Sequence, residues 1–242
     1  MAERMMVIAA HIGDYVWRCG GAIAKNIQEG NAVRLVVLSD GIRGECNNYF
    51  KQPGATLEAG KKQRLEEGKL AAAMLGVTDF VFFDYSDYPL DLTTVRIEQL
   101  AHCIREFRPD FIVTHDTWDA YNPDHDMTCD FAHKAYMCAT GAGFQDGLKP
   151  VKRQVPFFGF EPHQTEACRF YPAQYVDITD VMDIKREAMK VYASQPSMYA
   201  HYVTKAELRA SEVRYWSRRP DCKYAEAFAT ERPCTDSGNF TY

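Results

Sequence analysis

The chain has no glycine-rich phosphate loop. No G-x-G-x-x-G follows its first apolar run, Gly20-Gly21 falls at the start of a helical pattern, and Gly141-Ala142-Gly143 follows a helix instead of a strand. A backbone without that loop does not approach a pyrophosphate closely, which argues against a nicotinamide or flavin enzyme. The eight cysteines include no CxxC pair and no dense framework, so they read as reduced thiols, mostly small core residues. Long apolar runs are missing too. Only the six residues Met5 to Ala10 precede His11, too few for a signal-peptide core or a membrane span. There is no Pro/Gly/Ser-rich linker, no repeat and no concentrated basic patch, and a net charge of −5 with dispersed Lys and Arg argues against nucleic acid. These absences leave a cytoplasmic α/β chain of 242 residues in one domain, with an irregular C-terminal extension from about residue 195.

What is present is alternation. Short apolar runs at Met5–Ala10, Val33–Leu38, Phe80–Phe83, Phe111–Thr114 and Phe157–Phe160 read as strands, with Tyr175–Ile178 as a further one. Between them lie helical patterns from Val16 to Gln28, about Leu57 to Leu75, about Thr93 to Phe107 and about Met127 to Cys138, followed later by Ile184 to Tyr192 and Thr204 to Trp216. Several stop at a breaker: Gly30, Gly76 or Pro109. Strict βαβα order implies a mostly parallel sheet with helices on both faces, a Rossmann-like three-layer sandwich.

Five of these strands end in polar or titratable residues: His11 to Asp14, Asp40 to Glu45, Asp84 with Asp87, His115, and His163. The carboxyl ends of a parallel sheet converge on one crevice, so a scatter in sequence becomes a cluster in space. A catalytic zinc takes three protein ligands and keeps one open position. His11 and Asp14 supply two, and His125, in the Asp-, Asn- and Pro-rich loop from Asp116, is the obvious third. Iron, cobalt or manganese would accept the same ligands. His102, His133 and His201 fall in or near helical patterns and read as surface or core residues.

The segments Ala10-His11-Ile12-Gly13-Asp14, Asn122-Pro123-Asp124-His125 and Tyr224-Ala225-Glu226-Ala227-Phe228 resemble the PIG-L/LmbE-like family of zinc-dependent N-deacetylases over most of the chain. The resemblance implies that His11, Asp14 and His125 hold the metal. Two departures matter. The family's first motif usually reads A-H-P-D-D, and its general base is the first Asp, which is Gly13 here; the first His of the H-P-D-H motif is Asn122. Five segments, His11 to Gly21, Arg43-Gly44-Glu45, Asp87 to Leu90, Tyr121 to His125 and Phe160 to Gln164, resemble the 4-oxalomesaconate hydratase branch, which implies hydration of an unsaturated oxo-tricarboxylate in gallate and protocatechuate breakdown.

Hydration of a conjugated double bond needs an activated water, an anchor for the enolate and an acid for carbon. Glu45 is the expected base or proton relay and His163 the expected acid. A polycarboxylate substrate calls for cations, with Arg18, Arg43 and Arg64 as candidates and Tyr121 and Asn122 as hydrogen-bonding partners. Arg64 has an alternative partner in Glu67 on its own helix. The competing readings are an N-deacetylase of an amino sugar, with Asp124 or Glu45 as base, and a metal-holding binding module. A homo-oligomer is expected.

Overall fold

The computed structural model describes residues 2–151 and 154–230. Strand β1 (Arg4–His11) is an inner strand, third of seven, in a single sheet. β2 (Ala32–Ser39) and β3 (Asp79–Tyr85) extend it on one side, and β4 (Phe111–His115) and β5 (Phe157–Phe160) on the other, all parallel. β6 (Gln174–Asp177) forms the edge, and β7 (Ala225–Thr230) runs antiparallel between β5 and β6. The helices, in chain order, are α1 (Asp14–Gln28), the single turn α2 (Ile42–Glu45), α3 (Leu57–Met74), α4 (Thr94–Phe107), α5 (Pro123–Thr140), α6 (Met182–Lys190) and α7 (Met198–Ser217).

The pleat explains the three layers. Met5, Val7 and Ala9 of β1 pack with α1, α3, α6 and α7, while Met6, Ile8 and Ala10 pack with α4 and α5. Both faces are buried, which is why the strand reads as a continuous apolar run and not as an alternating one. Each large side chain so buried stabilises the fold by about 1.5–3 kcal/mol.

The stretch after residue 195 departs from its expected irregularity: it forms α7 and β7. α7 buries Tyr202, Ala206, Arg209, Ala210 and Val213, a stripe in which two alanines and an arginine dilute the apolar signal. β7 is only Ala225 to Thr230 and contains Glu226.

That glutamate holds a break in α1. Cys19 has φ −141° and ψ 19°, outside the helical region. The N–H groups of Gly21 and Ala22 donate instead to Glu226 Oε1 (2.8 Å) and Oε2 (2.7 Å). Lys185 Nζ of α6 donates to the Trp17 carbonyl (2.9 Å) and to Glu226 Oε1 (2.6 Å). A buried ion pair therefore takes up the backbone groups the break leaves over. Strand order reverses between β1 and β4, so the ends of β1, β2, β4 and β5 open onto one crevice, where an α/β sheet places its chemistry.

Glu226→Ala leaves the buried Lys185 ammonium with the Trp17 carbonyl but no counter-charge, and the Gly21 and Ala22 N–H groups without their acceptor. Its expected cost is about 3–5 kcal/mol, read from urea unfolding; a loss below about 1 kcal/mol would show that the break needs no such clamp.

Candidate metal centre and the cavity beside it

β1 ends at His11, Gly13 occupies the cap position of α1, and Asp14 opens the helix. The Asp14 carboxylate accepts the His11 backbone N–H through Oδ2 (2.8 Å), which turns the carboxylate back over the strand end. His11 Nδ1 lies 3.4 Å from Asp14 Oδ2 and 3.2 Å from Glu45 Oε1. His125, in the first turn of α5, brings Nε2 to 3.4 Å from Asp14 Oδ1 and 4.0 Å from Glu45 Oε1. One ligand atom from each of His11, Asp14, Glu45 and His125 lies within 4.8 Å of all the others.

The outer nitrogens of the two histidines are tied to carboxylates. His11 Nε2 is 3.2 Å from Asp124 Oδ2, and His125 Nδ1 is 2.8 Å from Asp119 Oδ2. A histidine that donates outward in this way turns its other lone pair inward, the usual support of a metal-bound imidazole. His11 Nδ1 is buried and has no hydrogen-bond partner. Charge points the same way. Asp14 and Asp119 lie near Arg18 and Glu45 pairs with Arg64, while the ionisable side chain beside Asp124 is His11, so with both histidines neutral a divalent ion would bring these four carboxylates and two guanidinium groups to neutrality. These residues fit a metal.

The same imbalance appears as shifted pKa values. Burial opposes a charge on His11, yet the carboxylates around it, Glu45 foremost, hold its pKa well above the usual histidine range. Burial likewise opposes the Glu45 carboxylate, but the charge on His11, with help from Arg64, pulls it down to about 2.

Three expected substrate-binding arginines lie elsewhere. Arg18 is 3 % exposed; its Nε is 3.4 Å from Asp14 Oδ1 and its Nη2 is 3.7 Å from Asp119 Oδ2, so it sits behind the cluster. Arg64 is fully buried and donates to Glu45 Oε2 (3.1 Å), Gln195 Oε1 (2.8 Å) and the Asp40 carbonyl (2.9 Å). It does not use Glu67, which accepts from Ser194 and Gln63. The Arg43 side chain donates to Ser86 Oγ (2.7 Å) and lies outside the cavity wall. Desolvation decides the first two: a guanidinium enclosed at the sheet end has to be paired, and carboxylates of the same cluster pair it. Asp124 is also corrected as a possible base. Both its oxygens accept backbone N–H groups, from Tyr88 (2.9 Å) and Leu90 (3.0 Å), and it stands behind His11.

Beside the cluster opens a cavity of about 700 Å³, whose wall includes Glu45, Tyr121, Asn122, His163, Gln195 and His201. Among the described residues no Lys or Arg belongs to that wall. Asn122 caps α5 through its Oδ1, accepting the Asp124 N–H, and its Nδ2 is 3.0 Å from His125 Nε2. His163 Nδ1 is 2.6 Å from the Tyr202 hydroxyl. Burial, then the nearby Arg18 charge, lowers the His163 pKa to about 3, so the ring is neutral. Tyr202 is held protonated by burial, so it donates to Nδ1 and the His163 proton sits on Nε2. His115 stacks on His125 at 4.1 Å and accepts the Ala10 N–H through Nε2 (3.0 Å). Sequence reasoning missed Asp119, Gln195, His201 and Tyr202. Asp119 lay in a loop already marked as acid-rich, whereas the other three come from the C-terminal stretch and belong to no motif. A separate cavity of about 430 Å³, lined by Glu3, Lys25, Asp110 and Phe158, opens at the opposite end of the strands.

Residues 6–136 match the PIG-L family model, described as GlcNAc-PI de-N-acetylase. The chain is 36 % identical over 209 residues to a 4-oxalmesaconate hydratase of Pseudomonas putida, covering 86 % of this chain and 80 % of that one. It is 28 % identical over 230 residues to a diacetylchitobiose deacetylase of Thermococcus kodakarensis, covering 93 % and 81 %. Among solved structures it is similar to the 4-carboxy-2-hydroxymuconate hydratase of Pseudomonas putida, with TM-score 0.93, 33 % identity and coverage of 98 % and 99 %.

Removing an inward donor and removing an outer support have different expected effects. His11→Ala abolishes stoichiometric metal after dialysis, whereas Asp119→Asn and Asp124→Asn each weaken metal affinity by about 10–100-fold, read by competition with a chromogenic chelator. Full metal content in His11→Ala would overturn the assignment of this centre.

Proposed function

The chain belongs to the PIG-L family, and on that premise we propose that it is a metal-dependent hydratase, adding water to the conjugated C=C of an unsaturated oxo-tricarboxylate of the 4-oxalomesaconate kind. The observation that carries this reading is a missing carboxylate: position 13 is glycine, and Glu45 stands in the cavity wall beside the metal-ligand cluster. Amide hydrolysis in this family's manner uses a base at position 13, and the substitute Asp124 is already spent on two backbone N–H groups.

His11, Asp14 and His125 would hold the ion, which we assign as zinc because the family resembled is zinc-dependent and the donor set accepts it. When bound, such an ion acidifies water and polarises an oxygen of the substrate. Glu45 takes one proton from the attacking water, whose hydroxyl forms the new C–O bond at the carbon β to the carbonyl. The alkene electron pair moves towards the carbonyl oxygen, and the proton taken up by Glu45 passes to the α-carbon, which restores the carboxylate and closes the balance as one water per double bond. His163, neutral and carrying its proton on Nε2, suits hydrogen-bond donation to the developing enolate, a narrower role than the acid expected from sequence. Arg64 keeps Glu45 Oε2 occupied and leaves Oε1 for the proton. The carboxylates of the substrate meet neutral donors of the wall, Asn122, Gln164, Ser197 and His201 among them.

The decisive assay follows absorbance of the conjugated substrate on adding metal-loaded protein to 4-oxalomesaconate, with acetate release from diacetylchitobiose measured in parallel. Loss of absorbance without acetate is expected, and acetate without hydration overturns the reading. Glu45→Gln and His163→Ala each lower kcat by about 10²-fold or more, with metal content retained; an effect confined to KM would make them binding residues.

A further inference from the structure

Position 13 lacks a side chain, and the space a side chain would enter is already filled. A Cβ built on Gly13 comes within 2.8 Å of both Gln195 Oε1 and Trp17 Nε1, and within 3.3 Å of Trp17 Cδ1. Such contacts are closer than packed atoms tolerate, so one neighbour has to move. Trp17 has little room. Its ring is buried and lies against Tyr192 at 5.1 Å and Tyr202 at 5.9 Å, and Tyr202 is the residue whose hydroxyl meets His163 Nδ1.

Gln195 is held over the same spot by two donors. Its Oε1 accepts from Arg64 Nη1 (2.8 Å) and from Trp17 Nε1 (3.3 Å), and its Nε2 lies 3.5 Å from Glu45 Oε2, the oxygen that Arg64 also holds. The carboxamide thus ties Trp17 and Arg64 together above Gly13 and reaches the carboxylate of the cavity wall. A carboxylate on residue 13 would meet the Gln195 oxygen, which is already an acceptor, at the point where its own side chain begins.

We propose that Gln195 is a specificity-determining, positioning residue: its carboxamide occupies the volume that a carboxylate at position 13 would need and orients Glu45 through Arg64. This rests on the hydratase reading for the identity of the reaction, but the exclusion of a side chain at position 13 is a packing statement that stands apart from it.

Four proteins test the proposal: the parent, Gly13→Asp, Gln195→Ala and the double variant, each assayed for unfolding midpoint, metal content and hydration kinetics. Gly13→Asp is expected to lower the midpoint by roughly 5 °C. The same change made in the Gln195→Ala background is expected to cost measurably less, the remainder being the Trp17 contact that both backgrounds keep. Gln195→Ala alone lowers kcat about tenfold with KM within about twofold, the pattern of a lost orientation and not of lost binding. If Gly13→Asp does not fold, Gly13→Ala carries the same Cβ and the same comparison. An additive pair of midpoints, an unchanged midpoint in Gly13→Asp, or an unchanged kcat in Gln195→Ala overturns the proposal. A parent protein that hydrates no oxo-tricarboxylate, while the midpoints remain non-additive, overturns the hydratase reading and leaves the closure of position 13 intact.

Discussion

Four buried carboxylates meet where β1, α1, α5 and the loops beside them come together, and most of the surrounding structure is arranged to keep them charged. Removing a carboxylate from water costs several kcal/mol unless positive charge and donors replace the solvent. Arg18 reaches Asp14 and Asp119 from α1, and Arg64 reaches Glu45 from α3. The backbone supplies further donors: His11 N–H to Asp14, and Tyr88 and Leu90 N–H to Asp124. Helices on one face of the sheet are thereby committed to particular positions over the strand ends. The break in α1 at Cys19 follows directly after Arg18, and the Lys185–Glu226 pair keeps that part of the helix in place.

Cations placed one layer behind the ligands differ in effect from cations on the cavity wall. A guanidinium on the wall would bind an anionic substrate tightly in ground state and transition state alike, which lowers KM without raising kcat. Arg18 and Arg64 instead stabilise the ligands and the base while presenting no donor to the cavity. On the proposed reading, neutral amides and imidazoles of the wall would orient the substrate carboxylates, and the charge that develops during reaction would be the feature the site answers most strongly.

The readable part of the sequence was the part governed by local pattern. β1, β2, β4 and β5 came out of apolar runs buried on both faces, and α1, α3 and α4 out of apolar spacing with glycine or proline at the ends. The clustering of His11, Asp14 and His125 was legible because a residue at a strand end or on the next helical turn needs only the strand to be found. Arg18 and Arg64 were misassigned for a different reason. An arginine advertises its charge in sequence, but whether it faces a cavity or a buried carboxylate is decided by closure of elements far apart in the chain, as when α3 brings Arg64 against Gln195. Tyr202 and Gln195 offered no signal at all, since α7 and the turn before it carry neither a motif nor a strong apolar face.

Those late residues connect the two sides of the reaction. Gln195 touches Trp17 and lies near Glu45; Trp17 packs on Tyr202; Tyr202 bonds His163. A contact chain therefore runs from the proposed base to the proposed donor, passing over the residue at which the family ordinarily keeps its carboxylate. In a close-packed interior such a chain transmits displacement, because no member can shift without its neighbour. Exchanging the base of this fold is then more than one substitution: a carboxylate returned to position 13 disturbs Trp17, hence Tyr202, hence the tautomer and aim of His163. On the proposed reading, glycine at position 13 and the packing of Gln195 and Trp17 around it form a single packing solution, so a carboxylate returned there has to be accompanied by a shift of its neighbours.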